Sequence, residues 1–392
     1  MSKSAILVLD LGNSETRGIV LYGKDSDGKP RERYFSLCNR FADVSEDYTP
    51  PVDYTPDTST VLKINAVVRG EEVSGYYANG EVQQREFNIA PLRPSATEKK
   101  YNILTSALSF ELAMLHAYRA IADLDGVSSI ESLDIEWSVD VLLPPGDLEA
   151  GKVKIIELIK SVTEVCCTFP NVRIPIKLKK VNVLPEGFCA YIATVYDRGS
   201  LIRKNAKHLL KETTLIFDIG AGTTDIAVVK DSKIINVTMH SIDRGGNNVT
   251  QLVRRSIRVE YDGLSLPESD IAEGIIKGYI KDGSRQIDIV PLVNAAKDEV
   301  AKYLISDVQG YLEETEFPIR SIGKILVCGG GAINSSENGG TKALSSAIIT
   351  YLKKLAPYVE LVDLPKDTIT GEEISPRELN VRGASILAAL MG

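Results

Sequence analysis

The sequence has no apolar run that reaches the roughly 20 residues a membrane-spanning helix needs. No signal peptide is expected either. The opening, MSKSAILVLDLGNSE, has one lysine and then a short apolar run that meets an acid almost at once, which reads as a buried strand. Positive charge is not in excess. A formal net charge of −8 argues against direct contact with nucleic acid through a basic surface. Cysteine is scarce, and Cys38, Cys166, Cys167, Cys189 and Cys328 do not have the spacing of metal ligands. Cys166 and Cys167 are adjacent and cannot both enter one ordinary metal site. All five read as reduced core thiols, which predicts a reducing, cytoplasmic location, and with no apolar run of spanning length no membrane association is expected. Two nucleotide signatures are also absent. No Gly-Lys-Ser/Thr occurs, so there is no P-loop, and no GxGxxG follows a first strand, which disfavours a dinucleotide fold.

What is present is an ordinary globular composition, 44% apolar and 25% charged, over 392 residues. That length predicts two or more lobes. Strand-like and helix-like stretches alternate, which predicts an α/β fold. Residues 5–10 and 18–22 read as strands. Residues 24–100, with Pro50, Pro51, Pro56, Pro91 and Pro94, read as a small inserted subdomain that contains a strand at 61–68. Helical spacing marks 102–123, 147–166, 186–204 and 292–315. Residues 137–144 and 325–332 read as buried strands, and a last helix starts near Asn380. A second insertion reads as 261–290, within a broader inserted region of about 247–320.

One feature organises the whole sequence. LVLDLGNSETRGIV (7–20) and IFDIGAGTTDIAVV (216–229) follow one template: an apolar strand, Asp-x-Gly, a short polar turn with Thr, and a second apolar strand. Asp10 matches Asp218, Gly12 matches Gly220, and Thr16 matches Thr224. Such a duplication predicts two lobes, each opening with the same hairpin. The lobe boundaries are expected at 1–205 with 377–392 for the first and 206–376 for the second.

The chemistry follows from these residue types. Glycine lets the backbone turn tightly and bring its N–H groups to an anion. An Asp at the strand end can hold Mg²⁺, usually through water. Arg17 adds a cation near the first turn. Gly245-Gly246 lead into a helix. CGGGA after an apolar strand, with Gly329, Gly330, Gly331 and Ala332, lets a flat base lie against bare backbone. Pro185-Glu186 begin a helix. The residues alone leave two roles for Glu186: complementing the helix dipole, or orienting a water that attacks a γ-phosphate.

Together these segments resemble the actin-like ATPases, a superfamily that also holds sugar kinases and the heat-shock chaperone ATPase domain. Asp10-Leu-Gly-Asn-Ser-Glu-Thr-Arg17 is similar to the first phosphate motif and Asp218-Ile-Gly-Ala-Gly-Thr-Thr-Asp225 to the second. Pro185-Glu186-Gly187 and Asn380-Val-Arg-Gly-Ala384 resemble the two connecting motifs, and Gly329–Ala332 the adenosine motif. The resemblance spans residues 6–384. Within the superfamily the chain looks most like the plasmid-segregation actins of the ParM or StbA group.

The resemblance implies an actin-like fold: two duplicated ribonuclease-H-like lobes around a nucleotide cleft, each with an inserted small subdomain. It implies ATP as nucleotide, GTP being the alternative, with Mg²⁺ organised by Asp10 and Asp218 through water. Glu186 and Asp218 would be catalytic. Gly12, Asn13, Ser14, Thr16 and Arg17 would meet the phosphates from one side, and Gly220, Ala221, Gly222, Thr223 and Thr224 from the other. Gly245, Gly246 and the glycine strand would flank the nucleoside, and AEGIIKGYI (272–280) would supply Glu273 and Lys277. Arg17 stands where eukaryotic actin has lysine, so the phosphate contact should differ in geometry.

The function it implies is a cytomotive filament for plasmid segregation. The partners would be further copies of the chain and a DNA-binding adaptor. Sequence extending past the second connecting motif, as a chaperone requires, is not expected, nor is an FtsA-type membrane helix, because GASILAALMG lacks a basic face. Tyr34, Tyr48, Tyr54, Tyr76 and Tyr77 are expected as interface anchors or as surface-loop residues. The alternative function is a small-molecule, sugar-type kinase, which would need a further general base.

Overall fold

The computed structural model describes residues 3–26, 28–87, 92, 99–332 and 340–391. Pro91 and Pro94 of the first insertion lie outside them. The chain forms two compact units, Met1–Pro185 with Val381–Gly392, and Glu186–Asn380.

The first unit opens with a hairpin of β1 (Lys3–Leu11) and β2 (Glu15–Lys24), followed by β3 (Pro30–Cys38). Leu7, Val8 and Leu9 are all fully buried, so β1 is covered on both faces, and this explains its continuous apolar run. Next come β4 (Ala42–Val44), β5 (Ser59–Val68), β6 (Glu71–Gly80) and the short α1 (Glu81–Glu86). The helix α2 (Leu104–Asp125) is buried along most of its length. It ends at Gly126, whose left-handed backbone (φ 65°) lets its N–H reach the carbonyls of Ala122 and Asp123. The unit continues through β7 (Ile135–Leu143), α3 (Leu148–Ser161), β8 (Glu164–Phe169), β9 (Asn171–Pro175) and β10 (Lys177–Pro185).

These strands make two sheets, ordered β10-β7-β1-β2-β3 and β4-β6-β5-β8-β9. Residues 30–38, expected in the insertion, instead pair with β2 in the first sheet. The second sheet is the inserted element, and it recruits β8 and β9 from far along the chain. The helix expected over 147–166 stops at Ser161. Val165 and Cys167 are buried while Thr168 is exposed, a period-two pattern that makes this segment a strand.

The second unit contains α4 (Phe188–Val195), β11 (Thr214–Ile219), β12 (Thr224–Lys230), β13 (Lys233–Ile242), α5 (Gly246–Glu260), α6 (Glu268–Lys277), the β14–β15 hairpin (Tyr279–Asp282, Arg285–Asp288), α7 (Val290–Glu314), β16 (Lys324–Cys328), α8 (Leu344–Leu352) and β17 (Glu360–Leu361). The last helix, α9 (Leu379–Met391), starts here. The helix expected over 186–204 ends at Val195. There Asp197 Oδ1 accepts the N–H groups of Gly199 and Leu201 and closes a turn. Tyr191 donates to the carbonyl of Leu209, and Arg203 to those of Ala193 and Tyr196, which keeps residues 188–210 inside this unit. The expected lobe boundary at 205 therefore falls within the second unit. Helices α5 and α7, placed by the sequence in an insertion of about 247–320, share the core of this sheet through Val253, Ile257, Val300 and Leu304.

The sheet of the second unit runs β17-β16-β11-β12-β13. In both units the central strand pairs antiparallel with the strand after it and parallel with a strand from later in the chain. The duplication read from one hairpin thus extends over five strands.

Candidate functional site

In the first hairpin Asp10 lies opposite Arg17. Both are buried, at 6% and 9% exposure. Arg17 Nη1 lies 3.9 Å from Asp10 Oδ2, and Nη2 lies 2.5 Å from Glu15 Oε2. Burial works against the guanidinium charge, but the nearby carboxylates of Asp10 and Glu15 outweigh it and hold the Arg17 pKa above its usual value. Gly12, Asn13 and Ser14 form the turn. A Cβ on Gly12 would come within 2.6 Å of the Glu15 carbonyl oxygen, so glycine is needed for close approach rather than for an unusual φ.

The turn is pinned by a residue that the motifs do not contain. Asn39 is almost fully buried. Its Oδ1 accepts from Thr16 Oγ1 (2.8 Å) and Ser109 Oγ (2.9 Å), its Nδ2 donates to the Gly12 carbonyl (2.5 Å), and its backbone N–H donates to the Ser14 carbonyl (3.0 Å). Thr16, expected at the phosphates, therefore commits its hydroxyl proton to Asn39. A lone asparagine has no sequence spacing that could have revealed this role.

The second hairpin repeats the backbone. Gly220 N–H donates to the Thr223 carbonyl at 2.8 Å, and a Cβ on Gly220 would lie 3.2 Å from that oxygen. Thr224 Oγ1 donates to the Arg244 carbonyl at 2.6 Å, so it too is a structural hydroxyl. Three glycine segments meet here. Gly246 N–H donates to the Gly220 carbonyl, and the Asn247 N–H to that of Ala221. A Cβ on Gly245 would sit 2.7 Å from the carbonyl oxygens of both Gly220 and Ala221, and one on Gly331 would overlap the Ile219 side chain. Gly245 and Gly246 thus buttress the turn of Ala221, Gly222 and Thr223. Gly329 has φ +86°, and a Cβ there would overlap Asp218 Oδ1. Gly330 begins the short turn that ends at Ala332, whose side chain is packed into the core of the unit.

Around this glycine platform stand the acids. Asp218 is 5% exposed and Glu186 6%. Across the sheet Asp218 lies between Asp225 on β12 and Cys328 on β16. Ser241 Oγ donates to Asp225. The Cys328 thiol has its pKa pushed well up, first by burial and then by the charges of Asp218 and Glu186, so it stays protonated. Asn380 starts the second connecting motif and lies in the first turn of the last helix. Its Nδ2 donates to Asp218 Oδ2 at 2.5 Å, and its Oδ1 accepts the Gly187 N–H at 2.8 Å. Gly187 itself sits at φ +71°, where an L side chain is strained.

Glu273 and Lys277 ion-pair with each other on the solvent-exposed face of α6. Of the five tyrosines, two are buried and three are half-buried. Tyr54 and Tyr77 are buried, Tyr48 packs edge-on against Phe87, Tyr76 donates to Glu46, and Tyr34 lies under the Arg382 guanidinium. Burial and then Glu86 push the Tyr54 hydroxyl pKa up to about 12.

Among the described residues no group of three or more His, Cys, Asp or Glu side chains is arranged to bind a metal directly. Single buried carboxylates beside glycine turns, as at Asp10 and Asp218, are hard oxygen donors that fit a Mg²⁺ held through water.

Residues 216–338 match a family model described as archaeal actin homologue MreB-like, C-terminal. No curated protein matches the sequence. Among solved structures the chain is similar to Ta0583, an archaeal actin homolog, at 13% identity and TM-score 0.65, covering 99% of this chain and 100% of that one. It is similar to a ParM from Clostridium botulinum solved as a 15-stranded filament, at 16% identity and TM-score 0.63, covering 100% of both chains. It is also similar to Bacillus thuringiensis ParM with ATP, at 16% identity and TM-score 0.60, covering 100% of this chain and 99% of that one. At these identities what is shared is the fold, and the chain has the actin-like fold.

Proposed function

We propose that this chain, built on the actin-like fold, binds and hydrolyses ATP and assembles with copies of itself into cytomotive filaments that serve plasmid DNA segregation. One observation carries the reading: the same hairpin occurs twice, each time ending a buried strand in Asp10 or Asp218 before a glycine turn, with the peptide that carries Glu186 tied to Asp218 through Asn380. Backbone amides in such turns suit phosphate oxygens. The bare Gly329–Gly331 backbone suits the nucleoside. Glu186 orients the attacking water, and Asp10 and Asp218 are the carboxylates that would each be able to hold Mg²⁺ through water. When bound, Mg²⁺ neutralises charge on the phosphate oxygens.

The solved ParM with ATP and the solved ParM filament support nucleotide use and self-assembly as the form the function takes. A contact between unlike surfaces of successive copies gives an open helical polymer when its rotation does not close. An adaptor protein linking the filament to DNA fits the acidic net charge of the chain itself.

The deciding experiment is light scattering and electron microscopy at micromolar protein. Filaments should appear with ATP and Mg²⁺, persist with a non-hydrolysable analogue, and disperse as ATP is consumed. A chain that stays monomeric under all of these, yet transfers phosphate to an added sugar, would replace the filament reading with the kinase one.

A further inference from the structure

We propose that Asn380 is a positioning residue for hydrolysis: its amide fixes the peptide carrying Glu186 against the carboxylate of Asp218. The inference rests on the ATPase reading above and adds a residue to it.

The geometry is specific. Asn380 lies in the first turn of α9 and is 5% exposed. Its Nδ2 donates to Asp218 Oδ2 at 2.5 Å and its Oδ1 accepts from Gly187 N–H at 2.8 Å. A carboxylate can only accept and a backbone N–H can only donate, so the position needs a group with one donor and one acceptor on a short stem. An asparagine amide meets this need. Gly187 follows Glu186 directly, and the Glu186 carbonyl accepts the Phe188 N–H at 2.7 Å. The peptide between residues 186 and 187 is therefore held at both ends, by Asn380 and by the start of α4. Through this peptide, Asn380 ties where Glu186 emerges to where Asp218 sits. A loss of alignment of about 1 Å is enough to cost a reaction about a hundredfold.

The test uses the full chain and reads steady-state ATP turnover, nucleotide affinity and thermal midpoint together. Asn380→Asp keeps the shape and the acceptor for Gly187 but replaces the neutral amide facing Asp218 with a second carboxyl, so that the pair must share one proton and one charge. It should lower kcat by about 10- to 100-fold while KM for ATP moves by less than about threefold. Asn380→Ala provides the same test if the aspartate variant does not fold. The decisive arm is a cycle with Glu186→Ala. A residue that acts by placing Glu186 adds almost nothing once Glu186 is gone, whereas a structural residue costs the same factor in both backgrounds. Equal losses in both backgrounds, a loss confined to KM, or wild-type kcat in Asn380→Asp would each overturn the inference and leave the ATPase reading standing. A wild-type chain without turnover would remove the two together.

Discussion

The two hairpins share a backbone and differ in charge. In each, glycine approaches the carbonyl three residues ahead, and a buried threonine hydroxyl ties down the strand after the turn. In the first, the residue across from the acid is a cation, Arg17. In the second it is another acid, Asp225, and Asp218 accepts a hydrogen bond from the neutral amide of Asn380. The turn geometry is the same in both and the electrostatics differ. The first hairpin carries its own counter-charge, whereas the second gathers Asp218, Asp225 and Glu186 around Cys328. Under the proposed ATPase function, that asymmetry would make the first hairpin a phosphate clamp and the second the reactive side.

The largest test of this asymmetry is kinetic. Asp218→Asn and Glu186→Ala should each lower phosphate release by about 10²- to 10⁴-fold in a folded, nucleotide-binding protein. Asp10→Asn should act mainly on Mg²⁺-dependent affinity. Identical profiles for Asp10→Asn and Asp218→Asn would end the distinction between the hairpins.

Next in size is stability. Arg17→Ala leaves buried Asp10 without its cation and should cost about 3 kcal/mol in denaturant unfolding. Arg17→Lys keeps the charge and should recover part of it. No loss in Arg17→Ala would show that Asp10 does not depend on the pair.

A smaller effect separates the long helices of the two units. On α2, burial and then Arg119 lower the pKa of His116 to about 4. The folded form binds fewer protons than the unfolded one, so stability is full above pH 6.5 and falls as the pH drops towards 4. On α7, burial and then Lys342 lower the pKa of Lys297 to about 8. Its contribution is full above about pH 10.5 and is lost as the pH falls to 8. His116→Gln should flatten the acid limb of the stability profile and Lys297→Met the alkaline limb, each leaving the other unchanged.

The smallest effect is expected on the outer face of α6. Glu273→Ala and Lys277→Ala remove a solvent-exposed pair and should not shift the thermal midpoint measurably. A clear drop in nucleotide affinity in either variant would place α6 at the nucleoside after all.

The elements legible in the sequence were those whose pattern is local. The strand of Leu7, Val8 and Leu9 and the Asp-x-Gly that follows announce themselves, as do the long apolar stripes of α2 and α7. Strand β3 was missed because RERYFS presents polar residues along an edge, and its place comes from pairing with β2. Strand β10 was missed because KLKK carries almost no apolar face. The end of α4 depends on a turn around Asp197, a side-chain contact that periodicity does not encode. In the site, the acids and glycines were read from motifs. Asn39 and the amide role of Asn380 were not, because each acts on segments distant in the chain.

The division of the chain has a consequence for how it can be cut or tagged. Residues 186–380 form one continuous stretch, nested inside a unit made from the two ends of the sequence. In genetic terms the second unit is a cassette and the first is its split host. Deleting or masking residues 381–392 would therefore disturb the unit that the N-terminal half builds. There Arg382 pairs with Glu32 and lies over Tyr34, contacts that join α9 to the strand extending the first hairpin.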